Sequence, residues 1–125
     1  MIPAAVLTIS DSSHEGSRED KSGPAVTARL QQSGFEVTIR KIIPDERERI
    51  SATLRQLAAE RSVSAIFTTG GTGVAPRDVT PEATRDVIER EIPGFGEQMR
   101  AKGLASTKFA VLSRGLAGTF GGVLI

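Results

Sequence analysis

The sequence predicts an α/β fold: a three-layer, Rossmann-like domain whose mostly parallel central sheet is covered by helices on both faces. Three observations carry that expectation. Near-continuous apolar runs such as Ala4-Ala5-Val6-Leu7-Thr8-Ile9 have the pattern of strands buried on both sides. These runs alternate with segments of helical periodicity, the order expected of crossover units in a parallel sheet. A length of 125 residues suits a single domain over residues 1–125, with room for one core and not for two.

Each element has its own signal. The first strand covers Ala4 to Ile9, and the charged stretch from Ser10 to Ser22, interrupted by Gly16, reads as a loop. Gly23-Pro24 opens a helix with Val26 and Leu30 on its apolar stripe, and Ser33-Gly34 ends it. Phe35, Val37 and Ile39 alternate with polar residues before Ile42-Ile43, a second strand broken by Pro44-Asp45. Between Arg47 and Arg61, Ile50, Leu54, Leu57 and Ala58 fall at i, i+4, i+7 and i+8, which is an amphipathic helix. A third strand, Val63 to Thr69, runs into Gly70-Gly71-Thr72-Gly73. Thr80-Pro81-Glu82 reads as a helix start, with a hydroxyl N-cap, proline at N1 and an acid in the first turn, and Pro93-Gly94 as that helix's stop. A further helix is expected from Phe95 to about Leu104, a fourth strand from Phe109 to Leu112, and a fifth starting at Val123-Leu124-Ile125.

Composition excludes several classes of function. Sixteen basic against fifteen acidic residues leave a charge of +1, so neither a nucleic-acid footprint nor a basic membrane-binding patch is signalled. With no cysteine, disulfides, thiolate metal sites and cysteine nucleophiles are out. Met1-Ile2-Pro3 lacks the basic segment of a signal peptide, and no apolar run nears the roughly 20 residues of a membrane span. The expected setting is the cytoplasm.

The chemistry collects after the strands. Asp11 follows the first strand, Asp45 the second, and Asp78 lies just past the glycine loop that ends the third. In a parallel sheet these positions share one rim, where ligands bind. Carboxylates there can hold Mg²⁺, an oxygen-seeking ion that bridges to phosphates. Any one of the acids taken alone reads first as an ordinary turn former; three at equivalent positions shift the balance towards a site. Thr69-Gly70-Gly71-Thr72-Gly73 is neither a Walker A loop nor the G-x-G-x-x-G fingerprint, yet its backbone amides could face a phosphate. Arg77 and Arg114 could bind phosphate oxygens through a planar guanidinium, or be plain surface charges. His14, the only histidine, sits in a polar stretch and reads as surface.

Several segments together carry a family resemblance. Ile9-Ser10-Asp11-Ser12, Asp20-Lys21-Ser22-Gly23-Pro24, Ile43-Pro44-Asp45-Glu46 and Thr68-Thr69-Gly70-Gly71-Thr72-Gly73 are followed by Arg77-Asp78-Val79-Thr80-Pro81-Glu82-Ala83-Thr84, Pro93-Gly94-Phe95-Gly96-Glu97-Gln98-Met99-Arg100 and Leu112-Ser113-Arg114. In this order they resemble the MogA/MoaB molybdopterin-binding domains, also found in gephyrin, and Gly94 to Arg100 looks closer to MogA. The resemblance implies the molybdopterin-binding fold, commonly trimeric, and molybdopterin adenylyltransferase activity in molybdenum cofactor biosynthesis. In that reaction MgATP and molybdopterin give adenylyl-molybdopterin and pyrophosphate, for hand-over to a molybdenum-inserting enzyme. It implies Asp45 and Asp78 as catalytic or Mg²⁺-organising acids. It implies Asp11, Ser12, Thr69, Gly70, Gly71, Thr72, Gly73, Thr80, Pro81, Glu82, Ser113 and Arg114 as the substrate rim. It also implies a further loop and final helix after the strand at Val123-Leu124-Ile125, which the 125 residues do not include. Two alternatives stand beside this reading: a module that holds molybdopterin without turnover, as suits some MoaB-like relatives, and a flavodoxin-like domain, disfavoured because there is no Trp or Tyr to stack on a flavin.

Overall fold

The computed structural model describes all residues, Met1 to Ile125. In chain order the elements are β1 (Ile2–Ile9), α1 (Asp11–Glu15), α2 (Ser22–Gln32), β2 (Phe35–Ile43), α3 (Arg47–Ala59), β3 (Ala65–Thr69), α4 (Thr80–Arg85), β4 (Arg90–Glu91), α5 (Pro93–Gly103), β5 (Gly118–Phe120) and β6 (Val123–Leu124). A 3₁₀ turn covers Lys108–Leu112. The six strands form one sheet in the order β2-β1-β3-β6-β5-β4. β1 runs parallel to β2 and β3, and β3 is parallel to β6, whereas β5 is antiparallel to both β6 and β4.

Burial explains the interior position of β1, flanked by β2 and β3. Ala4, Ala5, Val6, Leu7, Thr8 and Ile9 are all essentially inaccessible, because alternate residues serve opposite layers. Ala5, Leu7 and Ile9 join Ile50, Leu54 and Leu57 of α3, with Ala83 of α4, in the main core cluster. Helix α2 packs on β1, β2 and β3 and buries Leu30. Since right-handed crossovers carry the chain from β1 to β2 and back past β1 to β3, α2 and α3 cover opposite faces. Strand order reverses between β1 and β3, and this is where open α/β sheets place their ligands.

Several sequence expectations are corrected. The stretch from Ser10 to Ser22 is not all loop: Ser10 accepts the amide of Ser13 and caps the short helix α1. Thr80 is the first residue of α4 rather than its cap; Val79 occupies the cap position. Helix α4 ends at Arg85, and Pro93-Gly94 opens α5 instead of stopping α4. The expected strand at Phe109 to Leu112 is the 3₁₀ turn, with Phe109 and Val111 largely exposed. Strands β4 and β5 were not anticipated. No helix is long and apolar enough to cross a membrane.

Candidate active site

The ends of β1, β2 and β3 bring together the segments that carry the predicted residues. Asp11 starts α1 directly after β1, Asp45 follows β2, and Gly70 follows β3. Asp11 and Asp45 are joined by two reciprocal hydrogen bonds: the Asp11 amide donates to Asp45 Oδ2, and the Asp45 amide to Asp11 Oδ1, each at 2.9 Å. Arg77 grips Asp11 from outside, Nε to Oδ2 at 3.0 Å and Nη2 to Oδ1 at 2.9 Å.

Electrostatics separates the two acids. Arg77 holds the Asp11 carboxyl below the ordinary aspartate value. Burial pushes Asp45 the other way, and the charges of Asp11 and Asp78 add to the rise against the pull of the Asp11 amide. Only Oδ2 of Asp45 takes a protein donor; Oδ1 faces the glycine loop, where a Cβ on Gly71 would lie 2.9 Å from it. Asp78 Oδ2 accepts the Ala75 amide at 2.9 Å and closes the turn after the loop.

The glycine loop is pinned by its carbonyls. Thr80 donates its hydroxyl to the Gly70 carbonyl and its amide to the Gly71 carbonyl. Arg114 donates its amide to the Thr72 carbonyl and its Nε to the Gly73 carbonyl. The amides of Gly70, Gly71, Thr72 and Gly73 donate to no protein acceptor. Gly70 and Gly71 have φ of 103° and 69°, conformations that side-chain-bearing residues avoid, and a Cβ on Gly71 would also meet the Thr80 hydroxyl. A loop fixed through its acceptors presents its donors outward, as an anion-binding backbone does.

Arg114 is committed to this work. Its remaining nitrogens bind Glu82 and the Asp78 carbonyl, each at 2.6 Å, and the pairing holds Glu82 below its ordinary value. Ser113 accepts the Gly115 amide, and its carbonyl takes a bond from Arg100. Ser12 lies in α1 with its hydroxyl 3.2 Å from that of Ser10.

Two depressions share Thr69 and Gly70. One, of about 200 Å³, is bordered by Thr72, Thr80, Pro81, Met99 and Ser113. The other, of about 570 Å³, lies over the β1–β3 reversal against Thr8, Ser10, Ser13, Asp20 and Lys21. Chain-wide comparison gives the rim its context: a family model described as "Probable molybdopterin binding domain" matches residues 5–124.

The chain belongs to the molybdopterin-binding domain family.

It is 46% identical over 112 residues to the molybdopterin adenylyltransferase of Escherichia coli (strain K12), covering 87% of this chain and 57% of that protein. It is 41% identical over 125 residues to the molybdenum cofactor synthesis protein cinnamon of Drosophila melanogaster, covering 99% of this chain and 21% of that protein. Among solved structures, the molybdopterin biosynthesis enzyme MoaB from Thermus thermophilus matches with a TM-score of 0.88 at 44% identity, over 100% of this chain and 79% of that one. The chain thus spans little more than half the length of its bacterial transferase relative.

Within this molybdopterin-binding domain, the larger depression adds Thr8, Ser10, Ser13, Asp20 and Lys21 to the expected Thr69 and Gly70. Asp20 lines it. Burial opposes its ionisation, but the Gly23 amide and the Thr8 and Ser22 hydroxyls more than offset that, so its carboxyl stays below the ordinary value. A Cβ on Gly23 would collide with this carboxylate. The signal was present in Asp20-Lys21-Ser22-Gly23-Pro24, an acid three residues before a helical glycine, but its partner Thr8 comes from a strand read only as apolar.

Proposed function

We propose that the site transfers the adenylyl group of ATP to the terminal phosphate of molybdopterin. A phosphate oxygen of molybdopterin attacks the α-phosphorus of ATP; the bond from that phosphorus to its bridging oxygen breaks, and pyrophosphate leaves. The observation that carries this reading is the Gly70–Gly73 loop, its four carbonyls held and its four amides free, beside Asp45 Oδ1. Charge builds on phosphate oxygens in such a transfer, so fixed amide dipoles that need no reorganisation are the expected catalytic device. The family and the 46% identity to a transferase support the same assignment.

Asp45 and Asp78 are the acids for this chemistry. No cluster of three or more acidic or histidine side chains forms a metal cage here. Magnesium commonly binds through one or two carboxylates plus substrate phosphates, and Asp45 with Asp78 fits that mode. When bound, the ion supplies neutralisation of phosphate charge. Thr69, Thr72, Thr80, Pro81, Glu82, Ser113 and Arg114 are then the substrate rim, with Thr80, Glu82 and Arg114 serving by shaping the loop. Asp11 and Ser12 border it from the β1 side.

A module that holds molybdopterin without turnover has less support, since the curated relatives matched at 46% and 42% identity are named transferases. Homotrimeric assembly, a cytoplasmic setting and hand-over of the product to a molybdenum-inserting enzyme accompany the transferase reading. Incubation with MgATP and molybdopterin should release pyrophosphate, with Asp45→Asn and Asp78→Asn each losing most of the rate. Full rate in both variants would remove the two acids from the mechanism, and tight molybdopterin binding without pyrophosphate would select the holding module.

A further inference from the structure

The two arginines on this rim are used differently. Arg114 is spent on the fold: its guanidinium holds the Gly73 and Asp78 carbonyls and Glu82. Arg77 touches no backbone carbonyl; its only partner is the Asp11 carboxylate, and its side chain is 62% exposed. Asp11 does not depend on it, because Oδ1 also receives the Asp45 amide. Arg77 sits in the turn that Ala75 and Asp78 close, four residues beyond Gly73 and its free amide.

We infer that Arg77 is a phosphate ligand parked on Asp11, and that a polyphosphate arriving at the Gly70–Gly73 amides takes the guanidinium over. The inference rests on the reading that this rim receives a nucleotide polyphosphate. Exchange of partners is favoured because an exposed salt bridge is worth little, whereas a polyphosphate offers more charge and the same bidentate geometry. Asp11 then acts as a competitor for the ligand as well as a holder of Asp45. Its bond to the Asp45 amide survives the exchange, so Asp45 stays in place while the arginine moves.

Calorimetric titration with metal-free inorganic tripolyphosphate tests this on four proteins: the unaltered chain, Asp11→Asn, Arg77→Gln and the double variant. Asparagine keeps an oxygen for the Asp45 amide but cannot hold the guanidinium by a charged fork. Asp11→Asn should tighten binding about two- to fivefold, the size of the competing exposed salt bridge. Arg77→Gln should weaken it about tenfold or more, as loss of a charge-assisted pair does. In the Arg77→Gln background, Asp11→Asn should change little. Equal tightening in both backgrounds would mean simple removal of a negative charge and would overturn the exchange. So would unchanged affinity in Arg77→Gln, or weaker binding in Asp11→Asn. Pyrophosphate release is scored separately: a protein that shows the expected cycle without turnover keeps the exchange and loses the transferase, and one that turns over with an additive cycle does the reverse.

Discussion

Asp11 and Asp45 hold each other, each giving its backbone amide to the other's carboxylate at 2.9 Å. The exchange ties the end of β1 to the end of β2 at the rim. It also places two like charges side by side, and the protein resolves the conflict unequally: Arg77 neutralises Asp11, while Asp45 is left half-buried with a raised pKa.

That inequality predicts a trade between stability and activity. A carboxyl whose pKa is raised by folding binds its proton more tightly in the folded state, so its ionised form costs stability at neutral pH. Asp45→Asn removes this cost and keeps an acceptor for the Asp11 amide. The variant should be more stable than the parent at pH 7. The gain should vanish below about pH 4, where the unfolded aspartate is protonated as well. Thermal unfolding across this range checks both signs.

Asp11, Asp20 and Glu82 titrate in the opposite sense. Their folded pKa values lie below the ordinary ones, so they stabilise the protein above about pH 4 and lose that contribution as pH falls through the folded values. Denaturant midpoints should therefore drop as the solution is acidified below about pH 4. Glu82→Gln should flatten this acid limb, and an unchanged slope would show that the Arg114 pairing does not contribute to it.

Gly71→Ala should damage the site more than an equivalent change elsewhere. Both Gly71 and Gly121 have left-handed φ, 69° and 57°, a conformation that costs alanine roughly 1–2 kcal/mol. A Cβ at Gly121 meets open space, whereas one at Gly71 meets the Thr80 hydroxyl and Asp45 Oδ1. Gly121→Ala is expected to lower the unfolding temperature and leave pyrophosphate release intact. Gly71→Ala should lower it further and abolish release.

Thr80→Val tests the pinning of the loop. Valine matches the shape of threonine but cannot donate to the Gly70 carbonyl, a bond of 2.9 Å from a residue that is only 2% exposed. The variant should lose about 1–2 kcal/mol of stability. It should also raise the KM for ATP, because a loop free to turn one carbonyl outward presents fewer amides. Thr80→Ser, which keeps the donor, should recover most of the KM.

Much of this architecture is legible in the sequence. β1, α3 and β3 follow from apolar patterning because each buries apolar residues in the core, and β2 from the alternation of half-buried Phe35, Val37 and Ile39 with exposed polar residues. The strand-end rule put Asp11, Asp45 and the glycine loop on one rim. β4 was invisible: Arg90-Glu91 is a two-residue exposed pair with no apolar alternation to read. Phe109 to Leu112 misled for the converse reason, since a short apolar run shows neither its period nor its exposure. The Asp11–Asp45 exchange and the grip of Arg114 on the loop depend on backbone register between distant segments. A linear reading carries no trace of them.

The order of strands has a bearing on how the protein is made. β1, β2 and β3 come from the first 69 residues and can pair as soon as those residues exist. β6 wedges between β3 and β5, and its pairing with β3 is the single match Ala65↔Leu124, backed by the Leu124 amide on the Ser64 carbonyl. The pairing of β3 with β6 therefore joins residues far apart in the chain. Such long-range closure is slow, since its entropy must be lost before any contact repays it. Arg114, which fixes the glycine loop, arrives with that same late half. Until Arg114 is in place, the acids stand beside a loop whose Thr72 and Gly73 carbonyls are unheld.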